Sequence, residues 1–194
     1  MIALPLRQPG RRLGARTAWV TALVLAAALL RAAFLPLGDA LSTLVFGCCL
    51  LAVTLLERQT GLAQGRWGNW ASIGAGFSVG LLLVTPLLGG LSTARSLSGF
   101  LQWGAIAAVI ATLEEVVIRG RLQRLWTQDA GPLAAILAGA AVFALIHLPR
   151  YGVTAMPLDF SVGLALGGLR ALTGRVMPGA IAHVMADWGA WFAV

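Results

Sequence analysis

The feature that most limits how this chain can fold is its succession of long apolar segments. Seven stretches of membrane length follow one another, at residues 17–35, 40–56, 70–88, 97–119, 132–148, 158–172 and 176–193. Short connections separate them, marked by Pro36, Gly89, Gly90, Gly152 and Gly174. Only 11% of the 194 residues are charged, against about 25% in a soluble domain. Inside a bilayer every backbone polar group must find its partner within the protein, which leaves helices or a closed barrel. Barrel strands alternate apolar and polar residues, whereas these runs are continuous and rich in Ala, Leu and Gly. The expectation is an all-α, polytopic transmembrane bundle of about seven helices. It forms a single membrane domain over 1–194, with three accessory helices in 1–96 and a four-helix core in 97–194.

The net charge of +7 is not a nucleic-acid signature. All fourteen basic residues are Arg, and they stand mostly at the ends of apolar runs. With the N-terminus in the cytoplasm, eleven of them (Arg7, Arg11, Arg12, Arg16, Arg58, Arg66, Arg119, Arg121, Arg124, Arg170 and Arg175) fall on the cytoplasmic side. Arg31, Arg95 and Arg150 fall at the outer ends. This bias sets an N-in, C-out topology. The absence of Lys beside so much Arg, Ala and Gly fits a GC-rich genome, hence a multi-pass protein of a bacterial inner membrane. Four arginines before the first apolar stretch imitate a secretory signal. No small polar cleavage region follows and Arg31 interrupts the end, so the stretch is expected to remain as a helix. Adjacent Cys48 and Cys49 are too few for a disulfide framework or a zinc site and read as small apolar residues of a helix.

Against this background two adjacent acids, Glu114 and Glu115, stand near the end of the fourth apolar run. A charge at the bilayer centre costs roughly 2.5 kcal/mol or more, so each acid needs a partner or a use. Neighbours on a helix point about 100° apart, so the two are expected to differ in role. Glu115 and Arg119 are four apart with the acid first, the favourable order for an ion pair. Glu114 is then free to face the interior as a general base. The two histidines of the chain, His147 and His183, also lie in apolar segments, and Asp187 shares a helix face with His183. Intramembrane ionisable groups face one another rather than lipid. Glu114 and His147 reach the same height only if the fourth helix runs on through Gln128 and the next begins near Gly131. Residues 119–128 are basic and amphipathic; they read as a helix at the cytoplasmic interface, lying on it or continuing the fourth helix, with membrane anchoring favoured over a substrate-facing role. Gly76 with Gly80, and Gly163 with Gly167, are small-residue pairs that let helices approach closely.

Glu114-Glu115-x-x-x-Arg119, then Phe143-x-x-x-His147, then His183-x-x-x-Asp187 resembles the motif set of the CPBP family of intramembrane proteases. That family includes the Rce1-type CAAX prenyl endopeptidase and bacterial abortive-infection-like proteins. The resemblance covers about residues 97–194 and makes that half the catalytic core. It implies that Glu114 and His147 activate water and that His183 and Asp187 stabilise the oxyanion, supported by Glu115, Arg119 and Phe143. Asp187 stands where the family often has Asn, and an aspartate donates to an oxyanion only when protonated; otherwise it orients His183. Gly179 stands where an aromatic often lies, four residues before the last histidine. The implied substrate is a membrane-associated peptide or protein cut near its C-terminus.

Glu114, His147, His183 and Asp187 also match a zinc ligand set. No His-Glu-x-x-His helix is present, and metal-free water activation is the favoured expectation. Two other classes compete. A scaffold or immunity protein of the same fold would have degraded motifs. A proton-coupled carrier would have pseudo-symmetric halves, and none is seen in the sequence.

Overall fold

The computed structural model describes residues 14–56, 68–85 and 97–193. The expectations placed on Arg7, Arg11, Arg12, Arg58, Arg66, Arg95 and on the end of the third apolar segment lie outside these residues. The described residues are almost all helical and include no strand, in the order α1 (Ala15–Phe34), α2 (Asp39–Leu56), α3 (Asn69–Val84), α4 (Leu97–Glu115), α5 (Gln123–Ala130), α6 (Pro132–Tyr151), α7 (Met156–Thr173) and α8 (Met177–Phe192). They form a polytopic bundle. Five stretches among the described residues are long and apolar enough to cross a bilayer: Ala15–Leu37, Asp39–Leu56, Ser98–Ala130, Pro132–Tyr151 and Val153–Thr173. The third and seventh expected spans are the 16-residue helices α3 and α8, each about 24 Å long. Leu82, Leu133 and Trp70 stand exposed on the outside of the bundle, where lipid is the solvent.

α4 does not stop at Glu115. It passes into a seven-residue π-helical stretch, Val116–Leu122, and then into α5, making a 33-residue rod from Ser98 to Ala130. Such a rod is about 50 Å long and overshoots a hydrocarbon core of about 30 Å. Its far end turns sharply. Gly131 takes a positive φ of 90°, and Pro132 opens α6 at a position where its missing N–H costs nothing. The basic stretch 119–128 therefore continues the rod, the second of its two expected arrangements. Leu122 and Leu125 are buried in the core, and Arg121 Nη2 donates to the Thr54 carbonyl of α2. Those apolar residues find protein before they find lipid.

The glycine pairs bring helices together. A Cβ on Gly76 would lie 2.7 Å from the Pro178 carbonyl oxygen, and one on Gly80 would meet Met185 and Ala182 at 2.6–3.2 Å, so α3 packs against α8. A Cβ on Gly163 would lie 2.8 Å from Ala140 Cα, and one on Gly167 would meet Ile136 at 3.3 Å, so α7 packs against α6. The same glycines turn their carbonyls to the rod. Arg119 Nη2 donates to the Gly163 oxygen and Gln123 Nε2 to the Gly167 oxygen.

α1 is tied to the far end of the rod. Its N-terminus has no side-chain cap of its own. Asp129 of α5 supplies one, accepting from the Gly14 N–H at 2.8 Å and from Thr17 Oγ1 at 2.5 Å. At its other end α1 meets α2, where Ser42 Oγ donates to the Arg31 carbonyl. Cys48 and Cys49 are free residues of α2.

Candidate active site

Three helical elements converge near the middle of the rod. The rod supplies Glu114, Glu115 and Arg119; α6 supplies Phe143 and His147; α8 supplies His183 and Asp187. Because the rod continues past Arg119, Glu114 stands at the height of His147, with Oε2 3.8 Å from His147 Nε2. The same Oε2 is 3.9 Å from His183 Nε2. All three side chains are buried. These separations are too long for a direct hydrogen bond and short enough for one water to reach both partners.

The tautomer of His147 is set by its own helix. Nδ1 lies 2.8 Å from the Phe143 carbonyl oxygen, one turn earlier. A carbonyl only accepts, so Nδ1 carries the hydrogen and Nε2 of the neutral ring presents its lone pair to Glu114. Phe143 packs against His147 with ring centroids 4.4 Å apart and against His183 at 5.1 Å, edge-on. Tyr151 stacks on His147 from the far side, at 5.7 Å and 12°. The imidazole is thus held between two aromatic rings.

Glu115 takes its expected partner and a second one. Its Oε1 lies 3.0 Å from Arg119 Nη1 and 3.3 Å from His183 Nδ1. The two adjacent glutamates therefore approach the two nitrogens of one imidazole, Glu115 at Nδ1 and Glu114 at Nε2. This corrects the expected division in which only one of them faces the site. A glutamate reaches across with three rotatable bonds, so a 100° difference at the backbone does not fix where the carboxylates end. Glu115, not Asp187, faces His183 Nδ1 and so orients the ring. Asp187 Oδ1 stands 3.8 Å from Nε2, on the more open side of the site.

Gly179 accounts for the space that Glu115 occupies. A Cβ at this position would lie 2.7 Å from Glu115 Oε2. A side chain there is incompatible with this carboxylate placement unless the carboxylate shifts. Arg119 closes the floor beneath, with its guanidinium 4.7 Å over the Phe143 ring and its Nη2 on Gly163.

Glu114, His147 and His183 offer three ligand atoms, all within 4.8 Å of one another. Asp187 is not part of that group, so the four residues named as the alternative zinc set reduce to three here. Two residues that belong to none of the motifs also act on the site. Asp159 of α7 and Arg31 of α1 both exert electrostatic influence on it, Asp159 on His147 and Arg31 on Glu114. Asp159 lies near the start of an apolar segment and Arg31 near the end of another, positions that read as ordinary flanking charges. No spacing rule links either to the motifs.

The fold and this buried Glu-His-His cluster define a multi-pass membrane protein with a candidate hydrolytic centre inside its helices. Over residues 95–189 the chain matches the family model described as Rce1-like, type II CAAX prenyl endopeptidase. The family is one of endopeptidases. No curated protein and no solved structure matches the chain.

Proposed function

We propose that the chain is a glutamate-type intramembrane endopeptidase that hydrolyses a peptide bond of a membrane-associated protein near its C-terminus. The observation that carries this reading is Glu114 Oε2 standing 3.8 Å from His147 Nε2 and 3.9 Å from His183 Nε2 in a buried site. A water between Glu114 and His147 donates one hydrogen to each. Its oxygen attacks the scissile carbonyl carbon, and Glu114 takes the proton as the C–O bond forms. The carbonyl π pair moves onto oxygen. His183, with Nδ1 held by Glu115, donates from Nε2 to that oxyanion, and Asp187 shares in holding the ring's second proton. Collapse of the intermediate breaks the C–N bond, and Glu114 returns its proton to the departing amine. Exclusion of bulk water strengthens each of these interactions.

Zinc fits the three ligand atoms, with a fourth position open. Glu114, His147 and His183 would hold it, and it would supply Lewis acidity. The metal-free reading is preferred because ligation would consume the one carboxylate that faces both histidine Nε2 atoms. The match to the endopeptidase family model supports hydrolysis, and the Arg-only basic composition supports a bacterial cytoplasmic membrane.

The test is purified protein in proteoliposomes with a prenylated CAAX-type peptide. Glu114→Gln and His147→Ala are each expected to lower the cleavage rate roughly 10²–10⁴-fold. Cleavage at the wild-type rate by both variants would overturn the assignment. Chelator-treated protein is expected to retain its activity. Bound zinc whose removal abolishes cleavage, and whose return restores it, would replace the metal-free reading.

A further inference from the structure

Arg31 is an arginine inside an apolar helix, 4% exposed, and among the described residues no carboxylate stands within ion-pair distance of its guanidinium. One face of the guanidinium lies 4.8 Å over the Phe46 ring of α2. Nε is buried without a hydrogen-bond partner. The charges that act on it belong to Glu114, Arg150, Tyr151 and Asp39. Arg150 is already engaged, with Nη1 2.6 Å from Asp39 Oδ1, and Tyr151 is the residue stacked on His147. Arg31 therefore lies within electrostatic reach of Glu114, at the end of the bundle where α1 meets α2, with its Nε unbonded.

A buried, unmatched guanidinium is costly, and the missing partner is an anion. The guanidinium fork matches a carboxylate or phosphate in two parallel hydrogen bonds, and the Phe46 face holds the plane in place. A bilayer phosphate is a poor candidate, because lipid headgroups reach exposed arginines and this one is enclosed. An anion carried on a substrate bound at Glu114 is not excluded in this way. Every peptide carries one such group at its C-terminus.

We infer that Arg31 binds the C-terminal carboxylate of the peptide being cleaved, so that α1, outside the segment matched to the family, forms part of the substrate site. The inference rests on the endopeptidase reading. Cleavage close to a free C-terminus is then favoured by a charge anchor as well as by apolar fit.

The experiment compares one prenylated CAAX-type peptide as free acid and as C-terminal amide, in proteoliposomes, with wild type, Arg31→Gln, Arg31→Lys and Glu114→Gln. Wild type is expected to favour the acid by about tenfold or more in kcat/KM, the size of a charge-assisted contact. The preference is expected to fall mainly on KM. Arg31→Gln is expected to lower the acid more than the amide, so that the acid-to-amide ratio falls to about one. Arg31→Lys is expected to retain part of the preference. The acid-to-amide ratio is taken within one preparation, so any misfolded fraction cancels. Equal cleavage of acid and amide by wild type overturns the inference. So does an Arg31→Gln variant that slows both peptides alike, which would mark Arg31 as a support for Glu114. Failure of the endopeptidase reading has a different signature: Glu114→Gln matches wild type on both peptides, or wild type cleaves neither.

Discussion

Arg119 and Arg31 are both buried in membrane helices, and their surroundings are opposite. Arg119, 1% exposed, meets the Glu115 carboxylate, the Gly163 carbonyl and the face of Phe143. Arg31, 4% exposed, has the face of Phe46 and no ion pair among the described residues. A matched buried charge is architecture: remove one member and the other is stranded. An unmatched one costs stability in the resting protein and is retained for something that arrives. The floor of the site and its rim by the α1–α2 turn are thus built to different ends, with the histidines between them.

The largest expected effect lies between the two arginines. Glu114→Gln removes the base while keeping the shape, so cleavage is expected to fall roughly 10²–10⁴-fold with no loss of thermal stability. An accompanying large drop in the unfolding midpoint would mean that Glu114 is a structural partner. Next comes the floor. Arg119→Met leaves the buried Glu115 with His183 as its remaining partner and is expected to destabilise the protein by up to about 3–5 kcal/mol, read from unfolding in detergent. Adding Glu115→Gln is expected to restore part of that loss; if the double variant is worse than the single, the pair is not the source of the cost. Gly163→Ala tests the contact that supports the floor. Its Cβ would lie 2.8 Å from Ala140 Cα, and overpacking of this kind costs about 1–3 kcal/mol.

Arg31→Met sharpens the contrast, because the expected sign reverses. Loss of an unmatched charge is expected to leave the unfolding midpoint unchanged or raised, by up to about 1–3 kcal/mol. A fall comparable to that of Arg119→Met would erase the distinction between the two arginines. The smallest effect belongs to Asp39→Asn. This carboxylate pairs with Arg150 and is 56% exposed at the rim, so a change within about 1 kcal/mol is expected in the same unfolding measurement.

Much of this architecture was legible in the sequence. Gly131 before Pro132, and Gly174 before the α8 segment, mark turns because positive φ and a missing N–H are written into those residue types. The pairing of Glu115 with Arg119 followed from helical spacing alone. The π-helical stretch was not legible, since no residue in Val116–Leu122 announces a wider turn. The approach of Glu115 to His183 was hidden by side-chain reach. Arg31 was hidden for a reason peculiar to membranes. Lipid-facing and protein-facing positions are about equally apolar, so hydropathy does not say which way a helix turns its charge. The sequence reading therefore assigned Arg31 to orientation, and the packing of α1 against α2 and α6 brought it beside Glu114.

The cap that Asp129 places on α1 has a bearing on how the protein is made. Gly14 and Thr17 wait for a carboxylate that lies 115 and 112 residues further along the chain. During synthesis α1 is complete long before that residue exists. Its N-terminal amides must be served by water or headgroups until the rod arrives and displaces them. Closing this contact therefore belongs to the later part of assembly, when α1 and the rod that carries both glutamates become joined.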